Sequence, residues 1–405
     1  MKKLAFILAL VLPLYVIRFK VFFIPTNLFE ILAIIFILIW LLKNKFGGVS
    51  KLWKTFSNNY IFWIFGIISF IGLINTNQTL DSLGIWKSFF IIPLILGMIF
   101  INNQKLYDGF IKGLIISGLY ISGISMMQVL LAGFRQDFRP VALYNLGLDP
   151  AVSQGGFANY IGMYLTPIIF LSLYINFTKN QKINYFITGF LILGNIITQS
   201  YISILAMISG FFIYFVMIFV SSKKMNIKKI TISFSIIILV LIGFISWQSR
   251  TSKFQNLFDL EKRNSITTRI QIWDTTLSLI KEQPILGYGL ADFQSNYERE
   301  VPKKYFPPFE WLVPEPHNLY LAFWFHTGIL GIIWLGLIIK KSIYSLLSNK
   351  NILWLNISFA SILIYGLFDT VFWKNDLAVL FMIVLIGLFI IKKAPKNIRD
   401  RSLVD

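Results

Sequence analysis

The chain of 405 residues has no cysteine and only two histidines. Without cysteine, neither a disulfide framework nor a cysteine-based metal site is possible. Acidic residues are also few, 18 Asp and Glu against 37 Lys and Arg. No HExxH pair and no phosphate-binding glycine loop of the GxxxxGK[ST] kind occurs, so neither a zincin nor a P-loop enzyme is indicated. Charged residues make up 14% of the chain, while 56% is hydrophobic and 17% aromatic. Mean hydropathy is +0.71. That much apolar surface has no place in a water-soluble domain, so lipid is the expected solvent.

The formal charge of +19 is spread between apolar runs rather than gathered into one patch or tail. This distribution argues against nucleic acid as the partner, and the hydropathy makes membrane lipids the expected one. Apolar runs long enough to span a bilayer read as 4–19, 25–42, 59–75, 83–101, 108–132, 155–175, 184–199, 201–221, 229–247, 317–339, 352–372 and 376–391. The expected fold is all-α, a polytopic bundle of about twelve helices, since helices satisfy their own backbone in lipid. Met1–Lys3 and the run behind them resemble a signal peptide, but no small-residue cleavage site follows, so a retained first helix is expected.

Alternate loops differ in charge. Lys43, Lys45, Lys51 and Lys54, then Lys105, then Lys179 and Lys182, then Lys223, Lys224, Lys228 and Lys229, then Lys340, Lys341 and Lys350 fall on one side, with Lys392, Lys393, Lys396, Arg399 and Arg401 in the tail. The short intervening loops hold only Arg18 and Lys20, Arg135 and Arg139, and Lys374. The positive-inside rule then places both termini in the cytoplasm and the long 248–316 segment outside. The organisation expected is 1–247 with helices one to nine, 248–316 as an external loop, and 317–405 with helices ten to twelve and a basic tail. No internal repeat is visible, which argues against a transporter built from two symmetric halves.

Within the loop, Ile266, Ile270, Trp273, Leu277 and Ile280 recur at helical spacing, giving an amphipathic helix over 266–282 on the membrane surface. Ser265 or Thr267 is the expected cap and Pro284 follows the end. Gly287 and Gly289 predict a turn. Five prolines in 302–316 predict an extended, stiff approach to His317.

Several polar residues at the outer side suit chemistry. A neutral imidazole at His317, just behind Pro316, reads either as a proton acceptor for a sugar hydroxyl or as an interfacial histidine that caps its helix. His326, nine residues on, reads as structural. Arg269 offers a forked donor that fits phosphate, and the alternative is a snorkelling arginine. Arg135 and Arg139 suit an anionic headgroup, with the same alternative. Tyr305, Phe306, Phe309 and Trp311 read equally as sugar-stacking faces or as an aromatic belt. Asp81, Asp137 and Asp149 stand singly and the first outer loop has no acid, so no metal is expected. Arginine must then meet any phosphate leaving group.

In this order, the parts resemble the O-antigen ligase and O-antigen polymerase superfamily over roughly 135–391. His317, Asn318, Leu321, Gly328 and Gly331 match its C-terminal signature in spacing, and Arg269, Trp273, Pro284, Gly287 and Gly289 match the preceding pattern. Gly366 and Asp369, in YGLFDTVFWKND, are similar to its penultimate helix end, and Arg139, Asn159 and Pro167 to its central segment. One departure is TQSYISIL, where Tyr201 stands in place of an arginine, so one phosphate-binding arginine is absent or replaced.

The resemblance implies a GT-C-type glycosyltransferase in the bacterial inner membrane, free of metal and cofactor. It would move a glycan from undecaprenyl diphosphate to an acceptor hydroxyl, with inversion, at the outer face. His317 and Arg269 would be the catalytic residues, and Arg139, Arg135, Asn318 and Trp273 the substrate-binding ones. A lipid A–core acceptor would make it a ligase of lipopolysaccharide biosynthesis. A lipid-linked repeat would make it a polymerase of O-antigen or exopolysaccharide, and a protein side chain an oligosaccharyltransferase. From a different class, a polysaccharide-precursor transporter or flippase also fits a many-helix bundle.

Overall fold

The computed structural model describes all residues except 22–23, 46, 136–137, 144–153, 222–241, 258, 260–261 and 391–405. The expected span 229–247, the lysines at 223–229, Asp137, Asp149 and the basic tail therefore lie wholly or mostly outside the described residues.

The architecture is helical, as the apolar runs require. In chain order the elements are α1 (Lys2–Leu10), α2 (Leu28–Asn44), α3 (Gly47–Ser57), α4 (Tyr60–Ile74), α5 (Thr79–Ile101), α6 (Gln104–Leu131), α7 (Gln154–Tyr174), α8 (Gln181–Ile197), α9 (Tyr201–Ser221), α10 (Ser265–Glu282), α11 (Phe293–Glu300), α12 (Leu319–Ser348), α13 (Leu353–Tyr365) and α14 (Asn375–Ile390). Five of these, α5, α6, α7, α9 and α12, are long and apolar enough to cross a membrane, or six if the bent pair α3–α4 counts as one span. The others are apolar but shorter, or amphipathic.

Three segments depart from the sequence expectation. The first span is not one helix to residue 19: α1 stops at Leu10, a 3₁₀ turn carries Leu12–Val16, and Pro13 cannot donate to a continuing helix. Arg18–Val21 and Ile24–Asn27 then pair as an antiparallel ribbon, the one strand pair among the described residues. Second, α3 is a helix that the span list passed over, meeting α4 at 92°. Its Lys51 and Lys54 break the apolar run, while Val49 and Trp53 remain exposed, as in a helix lying along an interface. Third, α12 runs on to Ser348, past the expected end at 339.

Glu30 lies inside an expected apolar span and is 1% exposed. Its charge is met by Lys87 at 2.5 Å and by hydrogen bonds from Thr26, Asn27, Ser88 and Asn375. A buried carboxylate is tolerable only with such a shell. The network ties the ribbon, α2, α5 and α14 together. Tight helix contacts do similar work elsewhere: Gly109 and Gly113 let α6 lie against the backbone of α1. At the centre, Phe65, Phe90, Trp334, Phe323 and Phe372 interlock with ring centroids 4.8–6.2 Å apart.

The stretch from α10 to α12 has its own small core, built from Ile272, Leu279, Tyr288, Phe293, Tyr297, Val313 and Phe325. Helix α10 is capped by Asn264 rather than by Ser265 or Thr267; Thr267 instead closes the capping box by accepting from the Asn264 amide at 3.0 Å. Its protein-facing side is Thr268, Ile272, Thr275, Thr276 and Leu279. Of the apolar stripe read from the sequence, Ile270 and Leu277 are exposed and Ile280 is buried. Asn264→Ala is expected to destabilise this helix start by about 1 kcal/mol. Faster amide exchange at Ile266 and Thr267, which bond to Asn264 Oδ1, would report it.

The loop is fastened to the bundle through glycine. Gly287 (φ +72°) and Gly328 (φ +66°) sit in the left-handed region, and a Cβ at Gly328 would strike the Ile285 carbonyl. Gly328 breaks α12 there, and Ile329 N–H turns to Pro284 O at 3.1 Å. His326 is 1% exposed. Its Nδ1 meets Gly289 O at 2.7 Å, its Nε2 meets Glu315 at 3.1 Å, and its ring stacks on Trp373. It clamps the loop and faces no cavity described below.

Candidate functional site

The end of α6, the start of α7, the α8–α9 turn, the start of α12 and the α13–α14 turn all lie at one end of the bundle. Within α6–α9 and within α12–α14 that follows from chain direction, because successive helices alternate, and the hydrogen bond between the Ser200 and Tyr365 hydroxyls joins the two groups. The polar residues singled out by sequence converge there.

Asp369 is the hub. It follows α13 in the turn before α14 and is 2% exposed. One oxygen lies 2.8 Å from His317 Nδ1 and 3.0 Å from Thr370 N; the other lies 3.3 Å from Arg269 Nη2. Burial pushes this carboxyl up, but His317 and Arg269 outweigh it and hold the group below the usual aspartate range. An ionised carboxylate only accepts, so the bond to His317 requires the proton on Nδ1. Nε2 is then the ring nitrogen with a lone pair, and it makes no hydrogen bond among the described residues.

The backbone holds His317 in place. Its φ is +49°, a left-handed turn between Pro316 and the helix start. Its carbonyl accepts from Trp273 Nε1 at 3.2 Å. Asn318 caps α12, accepting from Tyr320 N at 2.9 Å and Leu321 N at 3.0 Å, and donates to Leu367 O at 2.8 Å. Its side chain is thus occupied in joining α12 to the Asp369 turn, and it lines neither cavity.

Arg269, one turn into α10, donates through Nε to Phe368 O at 2.8 Å and through Nη1 to Ser265 O at 3.0 Å, besides its Asp369 contact. Three of the five guanidinium N–H donors are spent, which fixes the plane and leaves two. Arg139 reaches in from the α6–α7 connection, donating to Thr198 O at 3.1 Å and Asn159 Oδ1 at 2.9 Å. Burial brings its guanidinium down to about 10, so it stays charged at neutral pH. Arg135, four residues earlier, is exposed and lines neither cavity.

Two cavities meet at this cluster, with Arg139, Asn159, Ser265 and Arg269 in the walls of both. One, of about 400 Å³, is walled mainly by Ile202, Leu205, Leu257, Ile266, Ile270, Trp273 and Phe368, with Tyr201 and Lys253. The other, of about 370 Å³, is polar, with Arg263, Asn264, Thr268, Glu310 and His317. Arg263 and Glu310 pair across its rim at 2.8 Å. The arrangement offers an apolar sleeve, a junction with two arginines and a polar chamber with an imidazole in its wall. Of the aromatics, Phe306 is 80% exposed and contacts Trp311, and neither lines either of these two cavities.

Sequence reasoning thus found Arg139, Arg269, Trp273 and His317, which the structure brings together. It missed Asp369 as the histidine's partner and Lys253 as a cavity cation. Asp369 is 52 positions from His317, so no spacing signals the pair. Lys253 stands outside every motif.

Residues 186–336 match the family model described as O-antigen ligase. The matched segment contains Tyr201, Lys253, Arg269, Trp273, His317 and Asn318; Arg139 and Asp369 lie on either side of it. A Haemophilus influenzae protein described only as uncharacterized is 34% identical over 95 residues, which cover 23% of this chain and 24% of that protein. The chain therefore spans about a quarter of that relative's length.

Proposed function

We propose, from the premise that the chain belongs to the O-antigen ligase superfamily, that it transfers a glycan from a lipid diphosphate to an acceptor hydroxyl. The observation that carries this reading is the junction of the two cavities at Arg139 and Arg269, with His317 in the polar one. An isoprenoid tail suits the apolar sleeve and a diphosphate suits the arginines. Sugar and acceptor suit the polar chamber.

In this mechanism His317 Nε2 takes the acceptor hydroxyl proton as the acceptor oxygen bonds to the anomeric carbon. The bond from that carbon to the diphosphate oxygen breaks on the opposite face, so the configuration inverts. The lipid diphosphate leaves with the electron pair, its charge met by Arg139 and Arg269. Asp369 keeps the proton on Nδ1 and then stabilises the imidazolium, as the acid of a catalytic triad does. Trp273 and Asn318 hold His317 in position, and Trp273 also walls the sleeve. With its leaving group met by arginine, the step calls for neither metal nor nucleotide.

The donor is read as a glycan on undecaprenyl diphosphate, and the acceptor as lipid A–core or a growing lipid-linked glycan. Purified protein given a lipid-linked repeat distinguishes these. Longer chains without added acceptor would identify a polymerase, and transfer only with lipid A–core a ligase. Movement of the lipid-linked repeat across a bilayer without any change in its mass would replace this reading with the transporter one.

We place the chain in the cytoplasmic membrane with about twelve crossings, both termini inside and the loop outside. The alternation of lysine between loops supports this orientation. Because the chain has no cysteine, a Ser295→Cys variant carries a single thiol at an exposed loop position. That thiol is expected to react with a membrane-impermeant reagent in intact spheroplasts. Labelling only after lysis would put the site on the cytoplasmic side and sink the lipid-linked donor.

A further inference from the structure

Tyr201 stands where the superfamily resemblance leads one to expect a phosphate-binding arginine. The cation in its place comes from a different segment. Lys253, on the one-turn helix Ser252–Gln255, holds its ammonium 4.0 Å from the centroid of the Tyr201 ring. The same Nζ donates to Gln199 O at 2.7 Å. Tyr201 in turn donates to Gln248 Oε1 at 3.0 Å, tying the start of α9 to the stretch that carries Lys253. Ring and ammonium form a cation–π pair, and the lysine is fixed at the cavity wall rather than loose in solvent.

Lys253, Arg139 and Arg269 line one cavity, and among the described residues no aspartate or glutamate lines it with them. Three basic side chains in the wall of one sleeve are an arrangement that an anion completes. We propose that Lys253 is the third ligand of the donor's diphosphate, carried on the Tyr201 ring in place of the superfamily's arginine. The inference rests on reading the site as a lipid-diphosphate transferase.

The electrostatics agree with the geometry. Burial, then Arg139 and Arg269, bring the Lys253 ammonium down to about 6. Among the described residues, the charged and titratable groups facing it are those two arginines and Tyr201. An arriving diphosphate reverses the balance and favours the protonated lysine, so donor binding takes up a proton near neutral pH. An arginine would stay charged throughout. The substitution therefore makes donor capture sensitive to pH where an arginine site is not.

The test uses the full chain in nanodiscs of uncharged lipid, with farnesyl diphosphate as the probe and farnesol as the control for its tail. Lys253→Met is expected to weaken diphosphate binding by about 10–100-fold, the range for a hydrogen bond to a charged group, while farnesol binds as before. Adding Tyr201→Arg to Lys253→Met is expected to restore most of the loss. Lys253→Arg keeps the charge and guards against a folding artefact. Relative to it, wild-type affinity is expected to fall as pH rises above 6, by up to about tenfold per pH unit; the probe's own ionisation cancels in that comparison. If Lys253→Met binds the probe like wild type while Arg139→Ala and Arg269→Ala lose it, the role of Lys253 is overturned and the transferase reading stands. Failure of wild type to prefer farnesyl diphosphate over farnesol overturns both.

Discussion

Replacing His317 by asparagine is expected to lower the rate of glycan transfer by about 10²–10⁴-fold, the usual worth of a general base. Asparagine is the informative substitution because His317 sits at φ +49°, and asparagine tolerates that backbone better than alanine. It can also still donate to Asp369, so the turn and the Arg269 contact persist. What it cannot do is accept a proton at the place of Nε2. The loss should appear in kcat, with binding of the lipid diphosphate within about threefold of wild type, since in the proposed step the base acts on the acceptor and not on the donor. Asp369→Asn attacks the same bond from the other side. Its amide has only one acceptor oxygen to serve both His317 and Arg269, so the tautomer and the arginine plane loosen together. A His317→Asn enzyme with more than a tenth of wild-type kcat would remove the histidine from the chemistry and leave it as a cap on α12.

The limits of the sequence follow from where each signal lives. Long apolar runs gave the helices of the bundle, because 3.6-residue periodicity and hydropathy are local properties. The ribbon at Arg18–Asn27 was hidden because Pro13 and Arg18 lie within or beside apolar residues and blur the first helix end. Helix α3 was hidden because its two lysines, Lys51 and Lys54, lower the hydropathy of the segment. Glu30 was invisible as a buried ion pair because its partner Lys87 is 57 positions away, on α5. In the site, residue type carried the reading: forked arginines for phosphate, and an imidazole behind a proline. Asp369 and Lys253 needed the fold, since only helix packing brings residues 199, 253, 269, 317 and 369 to one mouth. The amphipathic stripe of α10 was legible, but the second face that it packs against the protein was not. The face toward the protein is largely threonine, and two of the stripe's isoleucine and leucine side chains are turned outward.

Arg269→Ala is expected to be damaging on two counts, lowering transfer by about 10³-fold or more. One part is direct. Each lost charge-assisted hydrogen bond to the diphosphate costs about 1.5–3 kcal/mol, or roughly 10–150-fold in donor capture. The other part runs through Asp369. In the intact site His317 and Arg269 together hold that buried carboxyl ionised against its burial. A depressed carboxyl keeps its ionised form above its pKa and loses it as pH falls through that value. Without Arg269, one of the two opposing forces is gone, so the Asp369 pKa moves up and the acid limb of the pH–rate profile moves to higher pH. Below that limb the His317–Asp369 pair holds an extra proton as one coupled unit, and Nε2 has no lone pair left to act as the base. Arg269→Lys separates the two parts. A lysine restores a positive charge near Asp369, and with it the position of the acid limb. It cannot also donate to Phe368 O, Ser265 O and a diphosphate in one plane, so donor affinity should stay low. The profile of kcat/KM against pH for the three proteins reads both effects at once. An alanine variant whose acid limb does not move would leave Arg269 as a donor ligand alone, and His317 would then owe its orientation to the turn around Pro316 and Asn318.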